Sequence, residues 1–234
     1  MKKILISDYD GTFYQNDIDI KENMDKVTEF RTLGNIFVMA TGRSYVDLKI
    51  EIDKYKIPYD YLILNHGALL LSKELNVISS FNLDKDQVDS ILDYVNNNKD
   101  IYDIVLIDNF KKRVTDKSSV VKIVLKISSF DKAREVKSFI DKNYTNIKSY
   151  LVRDGDHYLV EIISNKASKS LMIEKIVETE NIKNKDVYTI GDGINDVDMV
   201  RDYNGYRVKN SCDELNTITN KVVDSVNDLI KEII

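Results

Sequence analysis

Ile4-Leu5-Ile6-Ser7-Asp8-Tyr9-Asp10-Gly11-Thr12 is the stretch around which the rest of the chain is read. Its first three residues form a short, uninterrupted apolar run, the pattern of a strand buried on both faces. Gly11 and its polar neighbours end that pattern, so the strand stops at about Ser7. Two carboxylates therefore follow the tip of a buried strand. In extended chain, residues i and i+2 point to the same side. Asp8 and Asp10 are thus expected to face one small volume, with Tyr9 turned away. Two anions held together need a shared proton or a cation, and a hard, oxygen-seeking Mg2+ suits them. Beside such an ion Asp8 stays ionised and can serve as a nucleophile. Asp10, one step further out, can carry a proton.

Composition sets the outer limits. The chain has 234 residues, 43% hydrophobic and 31% charged, which is ordinary for a globular protein with one large or two small domains. A net charge of -5 disfavours nucleic acid or an anionic membrane as the main partner. No apolar run approaches the roughly 20 residues that span a bilayer. Met1-Lys2-Lys3 leads straight into the first strand without the apolar region of a signal peptide. A single cysteine, Cys212, excludes an internal disulfide and fits a reducing cytoplasm. With two histidines in all, a histidine-based zinc site is not expected.

Along the chain, strands and helices alternate. A helix is predicted over residues 21–33, with Met24, Val27, Phe30 and Leu33 as its apolar stripe and Gly34 as its stop. Ile36 to Ala40 reads as a strand ending at Thr41-Gly42-Arg43, followed by a helix to about Tyr55. Tyr61 to Leu64 reads as a third strand, ending at Asn65-His66-Gly67-Ala68. This is the βαβ rhythm of a parallel sheet with helices on both faces. It breaks after about residue 82. A helix from Asp84 to Asn98, a strand at Ile104–Ile107, a short strand at Arg113–Thr115 and a run from Val120 to Ile127 come next. A helix near Asp131–Lys142 follows, then two strands flanking the hairpin signal Asp154-Gly155. The rhythm returns with a helix capped by Ser168, the strand Val187–Ile190, the strand Tyr206–Val208 and a helix near 225–234. The fold class is therefore α/β: a Rossmann-like parallel-sheet core over residues 1–82 and 163–234, with an inserted α+β domain over residues 83–162.

Four buried strands end in polar residues: Asp8, Thr41, Asn65 and Asp192. Ligands of open α/β sheets bind at the carboxyl ends of the strands. Each part suits the handling of a phosphate. Asp8 supplies an attacking oxygen. Asp8, Asp192 and the backbone carbonyl of Asp10 supply hard ligands for Mg2+. Thr41 offers a hydroxyl and Gly42 an unobstructed backbone amide. Lys169 brings a cation at a helix N-terminus, where the dipole also favours an anion. Gly191 to Asp196 is acidic and glycine-rich but lacks the spacing of an EF-hand. Asp198 reads as a helix-face residue and His66 as a structural loop histidine.

Asp8-Tyr9-Asp10-Gly11-Thr12, Ala40-Thr41-Gly42-Arg43, Lys169 and Gly191-Asp192-Gly193-Ile194-Asn195-Asp196 together resemble the four motifs of the haloacid dehalogenase-like phosphatases, and most closely the Cof-type group with an inserted cap. Asn65-His66-Gly67-Ala68 resembles that group's Asn-Gly-Ala segment with His66 as an extra residue. Lys169-Ser170 stands where the group usually has Lys-Gly. The resemblance implies a Rossmann-like core, a cap inserted after the third strand, Mg2+ as cofactor, and a phosphoaspartate on Asp8. It assigns acid/base duty to Asp10 and phosphate contacts to Thr41, Gly42, Lys169 and Asn195. It makes Asp192 a metal ligand and Asp196 a ligand through water or a support behind the ligands.

The expected activity is hydrolysis of small phosphate monoesters, such as sugar phosphates or related metabolites, by a cytoplasmic enzyme with no obligate protein partner evident. Dehalogenases of this superfamily lack the second acid and its transport ATPases carry Thr there, so Asp10 favours ester hydrolysis. A phosphomannomutase-like sugar phosphomutase is the alternative; it would need cap cations such as Arg113, Arg134 and Arg153 to converge on a second phosphate. A non-catalytic binding protein on the same fold is the remaining reading.

Overall fold

A computed structural model of the protein describes residues 2–234. It divides into two compact units, one of residues up to Arg43, Asp47–Ile78 and Ser168–Ile234, the other of Ser79–Ala167 with Ser44–Val46.

The first unit begins with β1 (Ile4–Ser7), α1 (Asp17–Thr32), β2 (Ile36–Ala40), α2 (Tyr45–Tyr55), β3 (Tyr61–Leu64), β4 (Leu69–Ser72) and β5 (Val77–Ser80). Within the second unit lie α3 (Lys85–Asn96), β6 (Ile101–Ile107), β7 (Lys122–Ile127), α4 (Phe130–Asn143), β8 (Ile147–Asp154) and β9 (His157–Ser164). The chain then returns with α5 (Lys169–Glu180), β10 (Val187–Gly191), α6 (Val197–Asp202), β11 (Asn204–Val208), α7 (Asp213–Ile218), β12 (Val222–Val223) and α8 (Val226–Ile233).

The first unit is built on an eight-stranded sheet in the order β12-β11-β10-β1-β2-β3-β4-β5. β1 lies between β10 and β2 and runs parallel to both, with Ile4 opposite Val187 and Ile36. Every residue of Ile4-Leu5-Ile6 is fully buried, as a central strand with covered faces requires. The chain leaves β1 towards β2 on one side and reaches β10 on the other only after the insertion. The carboxyl end of β1 is thus the switch point of the sheet, the place where open α/β folds hold their ligands.

One reading of the sequence is corrected here. The first helix begins at Asp17, because Asn16 caps it by accepting from the amides of Ile18 and Asp19. Its inward face is Ile20, Asn23, Val27 and Phe30, while Leu33 is exposed at the C-cap. Asn23 can occupy that face because its amide donates to the Phe13 carbonyl and accepts from the Asn227 amide. After β3 the chain turns back on itself in a hairpin. The run Leu69-Leu70-Leu71 pairs antiparallel with β3, Ile63 opposite Leu70, and with β5 extends the sheet beyond its six parallel strands.

The second unit is an antiparallel sheet in the order β6-β7-β9-β8. Ile123, Leu125, Ile127, Val160 and Ile162 point to one face, where Val88, Ile91, Ala133, Val136 and Ile140 of α3 and α4 cover them. The period-two alternation puts Lys122 and Glu161 on the other face as a buried ion pair of 2.9 Å. The turn of the β8–β9 hairpin is Gly155-Asp156, one residue beyond the Asp154-Gly155 signal, since Asp154 is still in β8 and lies opposite His157. The expected strand at Arg113–Thr115 does not form. That segment is a turn, in which Val114 donates to the Leu106 carbonyl and Lys112 makes an isolated bridge to Ile107.

Candidate active site

Asp8 is anchored by its backbone. Its amide donates to the Ile190 carbonyl of β10 and its carbonyl accepts from Phe13. The loop folds tightly over Gly11, whose positive φ of 82° suits a residue without a side chain. A Cβ there would also lie 2.5 Å from Oδ2 of Asp192. The loop after β1 and the loop after β10 are therefore pressed together, and the Thr12 hydroxyl donates to Asp192 Oδ1 at 2.6 Å.

Lys169 stands at the first position of α5, capped by Ser168, which accepts from the Leu171 amide. Its ammonium is fully buried between Asp8 Oδ1 at 2.7 Å and Asp196 Oδ1 at 2.5 Å. The other oxygen of Asp196 accepts from the amides of Asp192 and Gly193. Gly191 lets this carboxylate in, since a Cβ at Gly191 would lie 2.5 Å from it. Asp198 ties the starts of α5 and α6 together, accepting from the Ser168 hydroxyl and, with its other oxygen, from the Met199 amide.

Asp8, Asp192 and Asp196 each offer a carboxylate oxygen, all within 4.8 Å of one another. Three acids meet one lysine, and the charge imbalance shows at Asp8 and Asp192. Burial pushes the Asp8 carboxyl well above its ordinary range, against the pull of Lys169 and with the repulsion of Asp196 and Asp192. Burial likewise raises Asp192 to about 6, the Thr12 bond opposing. Burial works against the charge on Lys169, but Asp196 and Asp8 outweigh it and push its pKa up. A site in which carboxylates are reluctant to ionise, with hard oxygen donors, is one that a divalent cation fits.

Asp10 departs from the expected arrangement. Its carboxylate is turned outward and clamped by Arg43, Nε to Oδ2 at 2.9 Å and Nη2 to Oδ1 at 2.7 Å. Arg43 also reaches Glu51 and lies 5.0 Å over the Tyr9 ring. Tyr9 does turn away from the carboxylates, into a stack with Phe13 and Tyr14. The structure thus groups Asp8, Asp192, Asp196 and Lys169, and leaves the Asp10 side chain beside them in an ion pair.

Thr41 is buried at the end of β2; its amide donates to Ile63 and its hydroxyl accepts from the Arg43 amide. Asn195 lies in the loop after β10 and its amide meets His66 Nδ1 at 3.1 Å. The sequence marks His66 as a structural loop histidine. The structure places its ring directly on Gly42, where a Cβ would come within 2.3 Å of Cε1. The only hint in the sequence was its position after a strand that ends at Asn65. In the second unit, Arg113 is held by Asp103, Arg134 lies near Asp131 and over Phe130, and Arg153 donates to the Gly155 carbonyl. Each of these arginines is engaged locally.

The sequence profile of the haloacid dehalogenase-like hydrolases matches residues 5–118 and 106–230. The chain belongs to that family. Among its relatives is YkrA of Bacillus subtilis, a protein provisionally named a phosphatase. It is 22% identical over 97% of this chain and 93% of its own length. The fold is similar to that of a haloacid dehalogenase-like hydrolase from Bacteroides thetaiotaomicron, with a TM-score of 0.81 at 18% identity over the whole of both chains. TM0651 from Thermotoga maritima is similar at a TM-score of 0.80 and 17% identity, covering 100% of this chain and 98% of that one. No helix among the described residues is long and apolar enough to cross a membrane.

Proposed function

We propose that this hydrolase is a Mg2+-dependent phosphatase that cleaves small phosphate monoesters, such as sugar phosphates or related metabolites, through an aspartyl-phosphate on Asp8. The observation that carries this reading is the buried cluster of Asp8, Asp192 and Asp196 around Lys169. Asp8, Asp192 and the Asp10 carbonyl would hold the ion, with Asp196 supporting them. When bound, Mg2+ supplies positive charge against the phosphoryl oxygens.

The chain's own groups then have distinct tasks. Lys169 holds one Asp8 oxygen in place and adds a fixed cation to the site. An Asp8 oxygen attacks phosphorus as the P–O bond to the alcohol breaks, and the leaving oxygen takes a proton from Asp10. Asp10, now ionised, accepts a proton from the water that attacks the acyl phosphate, releasing inorganic phosphate and restoring Asp8. Thr41, Gly42 and Asn195 contact the phosphate. Proton transfer requires Asp10 to loosen its pair with Arg43, which side-chain rotation at an exposed position permits. The domain over residues 83–162 is the part that selects among esters.

The test is hydrolysis of a panel of phosphate monoesters by the purified protein, with Mg2+ and with EDTA. Release of inorganic phosphate that EDTA abolishes and Mg2+ restores supports the reading. Full activity in excess EDTA contradicts the metal dependence, and no turnover of any ester contradicts the activity.

A further inference from the structure

Asn65, His66 and Gly67 form a single turn after β3 in which all three residues have positive φ, at 50°, 56° and 91°. Non-glycine residues occupy that region rarely and at a cost, and clusters of them mark sites held in shape for a function. The turn is buried and pinned on several sides. The Asn65 amide donates to the Arg43 carbonyl and the His66 amide to the Thr41 carbonyl. Gly67 is pressed on the start of α5, where a Cβ would lie 2.3 Å from the Ser168 carbonyl carbon and 2.6 Å from the Lys169 nitrogen. The His66 ring covers Gly42 and meets the Asn195 amide. One short turn thus touches the Thr41-Gly42 turn, the Lys169 helix and the Asn195 loop. Those three come from distant parts of the sequence.

The imidazole has a specific job in this arrangement. With the Asn195 amide nitrogen donating, Nδ1 of His66 accepts, and the ring carries its proton on Nε2. Asn195 follows Ile194, which is exposed, in a short loop. Without a partner for its amide, the side chain would be free to rotate. A ring fixed flat against a glycine is a rigid post for it.

We propose that His66 is a positioning residue for phosphate binding: its imidazole, laid on Gly42 and bonded to Asn195, holds the Asn195 amide in register with the Thr41-Gly42 turn, so that both meet the phosphate group of the ester. The inference rests on the phosphatase reading for the nature of the ligand. A purely structural histidine would set the stability of the turn and leave phosphate affinity alone.

The experiment compares His66→Phe, which keeps a flat ring without a nitrogen, with His66→Asn, whose amide reproduces the place of Nδ1 and tolerates a positive φ. The readouts are KM and kcat for p-nitrophenyl phosphate, and the inhibition constant of inorganic phosphate. Loss of one hydrogen bond predicts that His66→Phe raises both KM and the phosphate inhibition constant about tenfold. Because the lost contact is made by bound ester and transition state alike, kcat should stay within about threefold. His66→Asn should keep both constants within about threefold of the wild type, the bond being rebuilt. Wild-type constants in His66→Phe overturn the proposal, as does a His66→Asn variant as impaired as His66→Phe. If His66→Phe does not fold, His66→Gln replaces it, since its amide sits at the place of Nε2 and cannot meet Asn195; a tenfold loss is again expected and wild-type constants again overturn the idea. Should the wild type hydrolyse no ester, the phosphatase reading fails by itself. Calorimetric titration with inorganic phosphate then decides the role of His66 by the same tenfold criterion.

Discussion

Asp192→Asn should make the metal-free protein more stable while destroying its response to Mg2+. Asp192 sits next to Asp196 and Asp8, with a single lysine for all three, and burial raises its pKa from 3.8 to about 6. The sign follows from linkage. A carboxyl whose folded pKa lies above its unfolded one stabilises the fold below the unfolded value and loses that contribution as pH rises through the folded value. For Asp192 that window runs from 3.8 to about 6. At about 1.36 kcal/mol per pH unit, the cost of holding it ionised at neutral pH is at most ~3 kcal/mol, and solvent reaching the half-buried group lowers it. The amide can still accept the Thr12 bond, so that contact is retained. Denaturant unfolding in EDTA at pH 7.5 should show the variant more stable by about 1–3 kcal/mol, with the advantage cut to roughly a third near pH 4.5. Mg2+ should stabilise the wild type at pH 7.5 much more than at pH 5 and leave the variant unmoved. An Asn variant no more stable than the wild type at pH 7.5 would refute the argument that these carboxylates are uncompensated without a cation.

Other outcomes follow from the same geometry. Lys169→Met strands Asp8 and Asp196 in a buried site, so the metal-free protein should lose about 3 kcal/mol in denaturant unfolding, partly recovered with Mg2+. Asp10→Asn should cut turnover of p-nitrophenyl phosphate roughly 100-fold. Its stability should move by less than about 1 kcal/mol, because the Arg43 pair it breaks is partly exposed; a large loss of stability would reassign Asp10 to the fold. Substitution of Arg153 or His157, at the β8–β9 turn, should reorder kcat/KM across a panel of esters while sparing p-nitrophenyl phosphate; an equal shift for every ester would make residues 83–162 a scaffold and not a selector.

The sheet and its order of elements were legible because buried parallel strands write themselves as short apolar runs, as Ile4-Leu5-Ile6 and Ile36 to Ala40 do. The β3–β4 pairing was harder to see. Leu69-Leu70-Leu71 is as apolar as a parallel strand, and the positive φ of Asn65 and His66 that reverses the chain leaves little mark on composition. The start of α1 was missed because Asp17 and Asp19 interrupt the apolar spacing while serving the helix N-terminus. In the site, position located Asp8, Asp192 and Lys169, because each follows a strand end or opens a helix, whereas Asp196 was singled out only by the resemblance to the family's motif. Position could not foresee that Arg43, three-dimensionally adjacent but distant in sequence, draws Asp10 outward. Nor could it place His66, whose contact with Asn195 joins residues far apart in the chain.

The central claim is that Asp8 becomes covalently phosphorylated. Rapid-quench mass spectrometry after mixing enzyme, Mg2+ and a competent ester should find a phosphoryl group on the peptide bearing Asp8, absent in EDTA and in Asp8→Asn. A competent ester turned over with no label on that peptide, or with label on another residue, would contradict the account.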